Sequence, residues 1–225
     1  MKKIIRIFLA LTFIGAIALS CSKQDAGNTP GKKKAAEEDP DPTPVESETL
    51  CKPEFLGQTP MVVAYYTENS SEVPDPNYVT HINFAHGRFV NSKTGRGGIV
   101  IGKVNTSTDN SSYVALLKKV VAPKEKNPNL KVLLMIGGWG EAADGFSMMA
   151  RSAEGRTEFC QSVKEKLKNY NLDGVDFDWE YPGGGPSTNA QSKDDAKNFN
   201  LVLKEMRETL GQTKILSYAS SSSAK

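Results

Sequence analysis

Residues 172–182 read LDGVDFDWEYP. Four acidic residues (Asp173, Asp176, Asp178 and Glu180) fall within eight positions, with Val175, Phe177 and Trp179 interleaved among the last three. The β-branched and aromatic residues predict a strand. Successive side chains of a strand point to opposite faces. Asp176, Asp178 and Glu180 therefore share one face, and Val175, Phe177 and Trp179 share the other. The apolar set can pack beneath helices. That turns the acidic set toward the interior of whatever the strands enclose. Asp173 has the parity of the apolar set and sits beside Gly174 at the strand's start, so it reads as structural.

Residues two apart on a strand are separated by about 7 Å at Cα, near enough for carboxyl groups to interact and to share a proton. Three readings compete for such a row. A solvated charged face fits badly, because a strand backed by Phe and Trp lies in the middle of a sheet. A Ca²⁺ or Mg²⁺ site also fits badly, because calcium loops are turns with Gly and oxygen ligands. No metal is expected. Acid–base chemistry fits best. Glu180 stands at the C-terminal end of the strand, where sites gather in parallel α/β folds, and a carboxyl there can serve as the proton donor.

Four other short apolar runs surround this one: MVVAYY (61–66), VTHINFA (79–85), LKVLLMI (130–136) and KILSYA (214–219). Near-continuous runs of this length suit strands buried on both faces of a parallel sheet. Helical spacing separates the later ones. It is carried by Val114, Leu117, Val120 and Val121 in 113–124, and by Phe159, Val163, Leu167 and Tyr170 in 156–170. In 192–210 it is carried by Ala196, Phe199, Leu203, Met206 and Leu210. Ser192 with Asp194 and Asp195 marks the start of the last helix, and Gly211 its stop. FVNSKTGRGGIVI (89–101) predicts a hairpin on the loop after the second strand. Strand–helix alternation of this kind means an α/β fold with a parallel sheet.

The chain has 225 residues and a net charge of +2, so nothing in it points to nucleic acid. Its three cysteines, Cys21, Cys51 and Cys160, are widely spaced, which argues against a disulfide framework or a zinc knuckle. Lys2, Lys3 and Arg6 followed by IFLALTFIGAIAL form a signal peptide over residues 1–20, too short for a membrane span. The leader ends at Ala18-Leu19-Ser20-Cys21, which resembles a bacterial lipobox with Ala18 in place of the usual Leu. Lipidation of Cys21 would anchor the protein to the cell envelope, at the outer membrane or cell surface. If Cys21 is incidental, the protein is secreted. Residues 21–53 read as a disordered tether rich in Lys, Glu, Asp and Pro, and 54–225 as the folded part. Cys51 has no assigned role. His81 and His86 read as structural or loop residues, and Cys160 as a buried apolar residue of a helix.

These segments together resemble glycoside hydrolase family 18, the chitinase family. DGVDFDWE fits the pattern D-x-x-D-x-D-x-E and continues into Tyr181-Pro182. MVVAYYT, VTHINFA and LKVLLMIGGWG resemble the family's first three strands, and the resemblance runs from Met61 to Ala219. It implies a TIM (β/α)₈ barrel, here with about five of the eight strands, since such a barrel takes about 250 residues. It implies hydrolysis of β-1,4-linked N-acetylglucosamine polymers, chitin or chito-oligosaccharides, with no cofactor.

The resemblance also assigns roles. Glu180 protonates the glycosidic oxygen, and the substrate's own acetamide oxygen attacks the anomeric carbon, an exception to the two-carboxylate scheme. Asp178 orients that acetamide, and Asp176 shares a proton with Asp178. Gly138, Trp139, Gly140, Tyr181 and Tyr65 contact substrate, with Trp139 stacking on a sugar face. Two alternatives stay open: an endo-β-N-acetylglucosaminidase on N-glycans, and a glycan-binding surface lipoprotein on the same fold. Met135 departs from the family's usual Ser, and a thioether cannot donate a hydrogen bond. Asp176 is thus expected to lack one partner unless Tyr65 or water supplies it. The family's sixth- and eighth-strand site segments have no counterpart in the sequence, which reads as a truncated form of a longer enzyme whose own activity is in question.

Overall fold

The computed structural model describes residues 60–186 and 188–220. The leader, Cys21, Cys51 and the tether through residue 53 lie outside the described residues. All five predicted strands form. They are β1 (Val63–Tyr66), β2 (His81–Asn91), β4 (Lys131–Gly138), β5 (Gly174–Trp179) and β6 (Ile215–Tyr218), and they pair in parallel in the order β1-β2-β4-β5-β6. The predicted hairpin adds β3 (Arg96–Ile101), antiparallel to β2.

Helices α1 (Ser111–Val121), α2 (Phe146–Ala150), α3 (Ala153–Asn169) and α4 (Asp195–Leu210) fill the connections. Asn110 caps α1 by accepting from the Ser112 and Tyr113 N–H groups, and Ser152 caps α3 by accepting from Gly155. Gly211, at φ 69°, ends α4 as expected. The start of α4 lies at Asp195, three residues after Ser192. Asp194 is its cap residue, inside the segment the sequence reads as helix start, and the Asp195 carboxyl reaches back to accept the Ser192 N–H at 2.8 Å.

Alternation sorts the strands as the sequence predicts. Ile82, Phe84, Val132, Leu134, Ile136, Val175, Phe177 and Trp179 belong to the core shared with the helices. Rings dominate that core near β5. Phe146 stacks on Trp179 at 5.1 Å and meets Phe89 edge-on at 5.1 Å, and Phe199 meets Trp179 edge-on at 5.6 Å. Such pairs add about 0.5–1.5 kcal/mol each beyond their area. The opposite parity lines the concave face. Register aligns Asn83 with Tyr65 and Leu133, Met135 with Asp176, Gly137 with Asp178, and Asp176 with Ser217.

Asp173 is structural, as its parity suggests. It accepts from Lys124 Nζ at 2.6 Å and from the Val132 N–H at 2.8 Å, pinning the start of β5 to its neighbours. Cys160 is buried in α3, and burial pushes its thiol up to about 12, so it is no nucleophile at neutral pH. His81 pairs with the Thr80 hydroxyl at 2.8 Å at the N-terminal end of β2.

Candidate active site

The acidic row is built by one strand and closed by its neighbours. Asp176, only 3% exposed, sits mid-strand on the concave face. Both of its carboxyl oxygens are occupied. The Tyr65 hydroxyl donates to Oδ2 at 2.9 Å from β1, and the Ser217 hydroxyl donates to Oδ1 at 2.6 Å from β6. Asn83 on β2 is the register partner of Tyr65, and its Oδ1 is buried without a partner. Met135 is the neighbour of Asp176 on β4 and offers nothing. The expected deficit at Asp176 is therefore absent: Tyr65 fills one position, as the sequence allows, and Ser217 fills the other.

Asp178 lies two residues on, at the rim. Burial, then the nearby Glu180 charge, then that of Asp176, push its carboxyl up to about 6. No hydrogen bond joins it to Asp176 among the described residues, so the coupling between them runs through the field. Glu180 follows the last residue of β5 directly and is partly exposed. Its charge acts on both Asp178 and Tyr181. Two partly buried carboxyls side by side, one of which binds its proton near neutrality, make an arrangement that can move a proton onto a bound ligand and hold an adjacent positive charge.

The mouth of the site is aromatic. Trp139 follows β4 and Tyr181 follows Glu180; they are 61% and 48% exposed, with ring centroids 6.2 Å apart. Two aromatic side chains so bare beside a carboxylate row are placed to meet a ligand with both hydroxyls and apolar ring faces. Close backbone approach brings them there. Gly137 has φ 114°, and a Cβ on it would lie 2.2 Å from the Asp178 carbonyl oxygen, so no other residue fits between β4 and β5. Gly140 opens onto free space, and its carbonyl accepts from Asn189 Nδ2 at 2.7 Å.

The loop after Tyr181 is tied down by Asp195, which is 0% exposed. That carboxyl accepts from the Ser147 hydroxyl at 2.8 Å, the Ser192 N–H at 2.8 Å and the Gly183 N–H at 3.3 Å. Among the described residues no three His, Cys, Asp or Glu side chains gather as a metal-binding group.

Residues 61–225 match the family described as Glycosyl hydrolases family 18. The chain belongs to that family. Family 18 relatives among characterised proteins include Chitinase A1 of Niallia circulans, 30% identical over 80% of this chain and 32% of that protein. Chitinase-3-like protein 2 of Homo sapiens is 32% identical over 68% of this chain and 36% of that one. Among solved structures, the chitinase domain of the spore coat protein CotE from Clostridium difficile superposes with a TM-score of 0.61 at 30% identity, covering 79% of this chain and 46% of that one. The Ostrinia furnacalis group IV chitinase in complex with allosamidin gives 0.58 at 32% identity, covering 70% and 42%. The chain thus spans less than half the length of these relatives, and its five parallel strands are an arc of the family 18 barrel.

Within that arc the structure brings Tyr65, Asp176, Asp178 and Glu180 together on the concave side, and Gly138, Trp139, Gly140 and Tyr181 at its rim. Three participants escape the sequence reading: Ser217, Asn83 and Asp195. Ser217 is the one small polar residue in the strand ILSY and has the concave parity, a signal that could have found it. Asn83 is likewise the one amide in VTHINFA.

Proposed function

We propose that the protein is a family 18 hydrolase that cleaves β-1,4 bonds between N-acetylglucosamine units of chitin or chito-oligosaccharides, with retention and with the substrate's acetamide as nucleophile. One observation carries the reading: Asp176, Asp178 and Glu180 occupy consecutive concave positions beside the exposed pair Trp139 and Tyr181. A sugar lying on the Trp139 ring presents its glycosidic oxygen to Glu180, which protonates it. The acetamide folds beneath the anomeric carbon, where Asp178 accepts its N–H and offsets the positive charge that develops. Asp176, held by Tyr65 and Ser217, keeps the strand's charge fixed in place. Glu180 then takes a proton from the attacking water.

The test is release of a fluorophore from chitobiose and chitotriose glycosides by the full chain. Turnover that falls by roughly 10³-fold in Glu180→Gln, with oligosaccharide binding kept, supports the reading. Binding without turnover would mark a glycan-binding protein, and neither would overturn the reading. The same proposal places the domain on a lipid anchor at Cys21. Cys21→Ala should then move the protein from the membrane fraction to the soluble one in a bacterial host, and an unchanged distribution would sink the anchor.

A further inference from the structure

Arg88 lies on β2 just past the bulge that interrupts pairing with β4 between Ala85 and Gly87. Its guanidinium donates from Nη1 to the Gly137 carbonyl oxygen at 2.5 Å. Among the described residues no carboxylate stands within ion-pair distance of it; Glu68 and Tyr113 act on it only through the field. Burial pushes it down to about 10, still charged at neutral pH. A mostly buried cation without a contacting counterion is an expensive choice for a fold. Its one strong protein contact is with a single carbonyl, so its value lies in what that carbonyl controls.

Gly137 controls the site from two sides. Behind it, its backbone is the register partner of Asp178 and is packed too closely against it for any side chain. Ahead of it come Gly138 and Trp139. Gly138, at φ 109°, is the last residue of β4 and pairs with Trp179, so the chain leaves the sheet at Trp139. A second anchor closes the other end, where Asn189 donates to the Gly140 carbonyl. The two held carbonyls flank Gly138 and Trp139, whose ring has little protein around it except Tyr181.

We propose that Arg88 is a positioning residue for carbohydrate binding: by holding the Gly137 carbonyl from β2, it fixes the direction of the Trp139 ring at the mouth of the site. It touches neither the reacting atoms nor the sugar. This rests on the reading of Trp139 as a sugar platform, so the test includes a measurement made without sugar.

The chain has two tryptophans, and Trp179 is buried, so the acrylamide-quenchable fluorescence belongs to Trp139, with Trp139→Phe as the blank. In the full-length protein, Arg88→Met is expected to lower the fluorescence anisotropy of Trp139 and to raise its quenching constant about twofold, with far-UV circular dichroism unchanged. With a chitotriose glycoside, KM should rise roughly fivefold to tenfold while kcat changes less than about twofold, the signature of lost binding geometry and not of lost chemistry. Arg88→Lys keeps a charged donor for the same carbonyl and should recover part of both effects. It is also the variant that decides the matter if Arg88→Met does not fold. Unchanged anisotropy and quenching in every folded variant would overturn the proposal. Wild-type protein that binds no chito-oligosaccharide would instead overturn the functional reading, and leave the sugar-free measurement to judge Arg88.

Discussion

The Ser217 hydroxyl donates to Oδ1 of Asp176 at 2.6 Å across the β5–β6 pair. With the Tyr65 hydroxyl on Oδ2, it occupies the position that Met135 on the other flank leaves empty. Ser217→Ala is therefore expected to lower kcat roughly 10-fold, equivalent to about 1.4 kcal/mol, by leaving a buried carboxyl oxygen unpaired. Met135→Ser alone should change kcat by less than about twofold, since both oxygens are already served. Added to Ser217→Ala, it should restore part of the loss. Additive behaviour of the two substitutions in kcat would show that they do not compete for one carboxyl.

Asp178 makes a prediction about stability that needs no substrate. Its carboxyl binds a proton near pH 6 in the folded protein, against the usual 3.8. The folded state therefore holds that proton more tightly than the unfolded chain does. The contribution is fully present below pH 3.8 and is lost as pH rises through about 6. Asp178→Asn is neutral throughout. It should raise Tm at pH 7.5 relative to wild type, and the gain should shrink at pH 5.5 and vanish near pH 4 (roughly the span between the two proton affinities). A gain that does not change with pH would mean that the ionised Asp178 carboxyl, buried and crowded by Glu180 and Asp176, is not its source.

What the sequence could and could not reveal follows from the range of the interactions. The acidic row and its apolar back depend on strand alternation, a local property, and both stand as read. The same holds for Asp173 and Cys160. Ser217 pairs with Asp176 through sheet order and register, which no short window carries. Strand β2 runs on to Asn91 through a bulge, whereas its apolar pattern stops at Ala85. The extra residues bring Arg88 beneath Gly137. Asp195 reads locally as a helix-start residue because its three donors come from distant or turning segments.

Asp195 is accordingly more than a helix-start residue. Asp195→Ala would leave the Ser147 hydroxyl and the Ser192 and Gly183 N–H groups without their acceptor in a buried site. The expected cost is about 3 kcal/mol, read as a shift in the urea midpoint at constant slope. Asp195→Asn keeps one acceptor oxygen and should lose less. Because Gly183 follows Tyr181 by two residues, Asp195→Ala should also speed proteolytic cleavage within 181–194 before global unfolding. Equal cleavage rates in wild type and variant would separate Asp195 from the order of that loop.

The concave row depends finally on the convex core behind it, and Phe146 is where the two meet. Its ring stacks on Trp179, the residue before Glu180, and lies about where a side chain on Gly137 would begin, 3.0 Å from that Cβ position. It therefore supports β5 and the β4 turn at once. Phe146→Ala should cost about 3–5 kcal/mol in chemical denaturation, the range for emptying a fully packed aromatic site. Phe146→Leu, which keeps most of the volume, should cost about half as much. The fraction that stays folded is the more telling measurement. If Phe146 positions the strand ends, folded Phe146→Leu should lose turnover beyond its loss of stability, because Glu180 is carried on the residue that the ring holds flat. Full specific activity per folded molecule would confine Phe146 to packing.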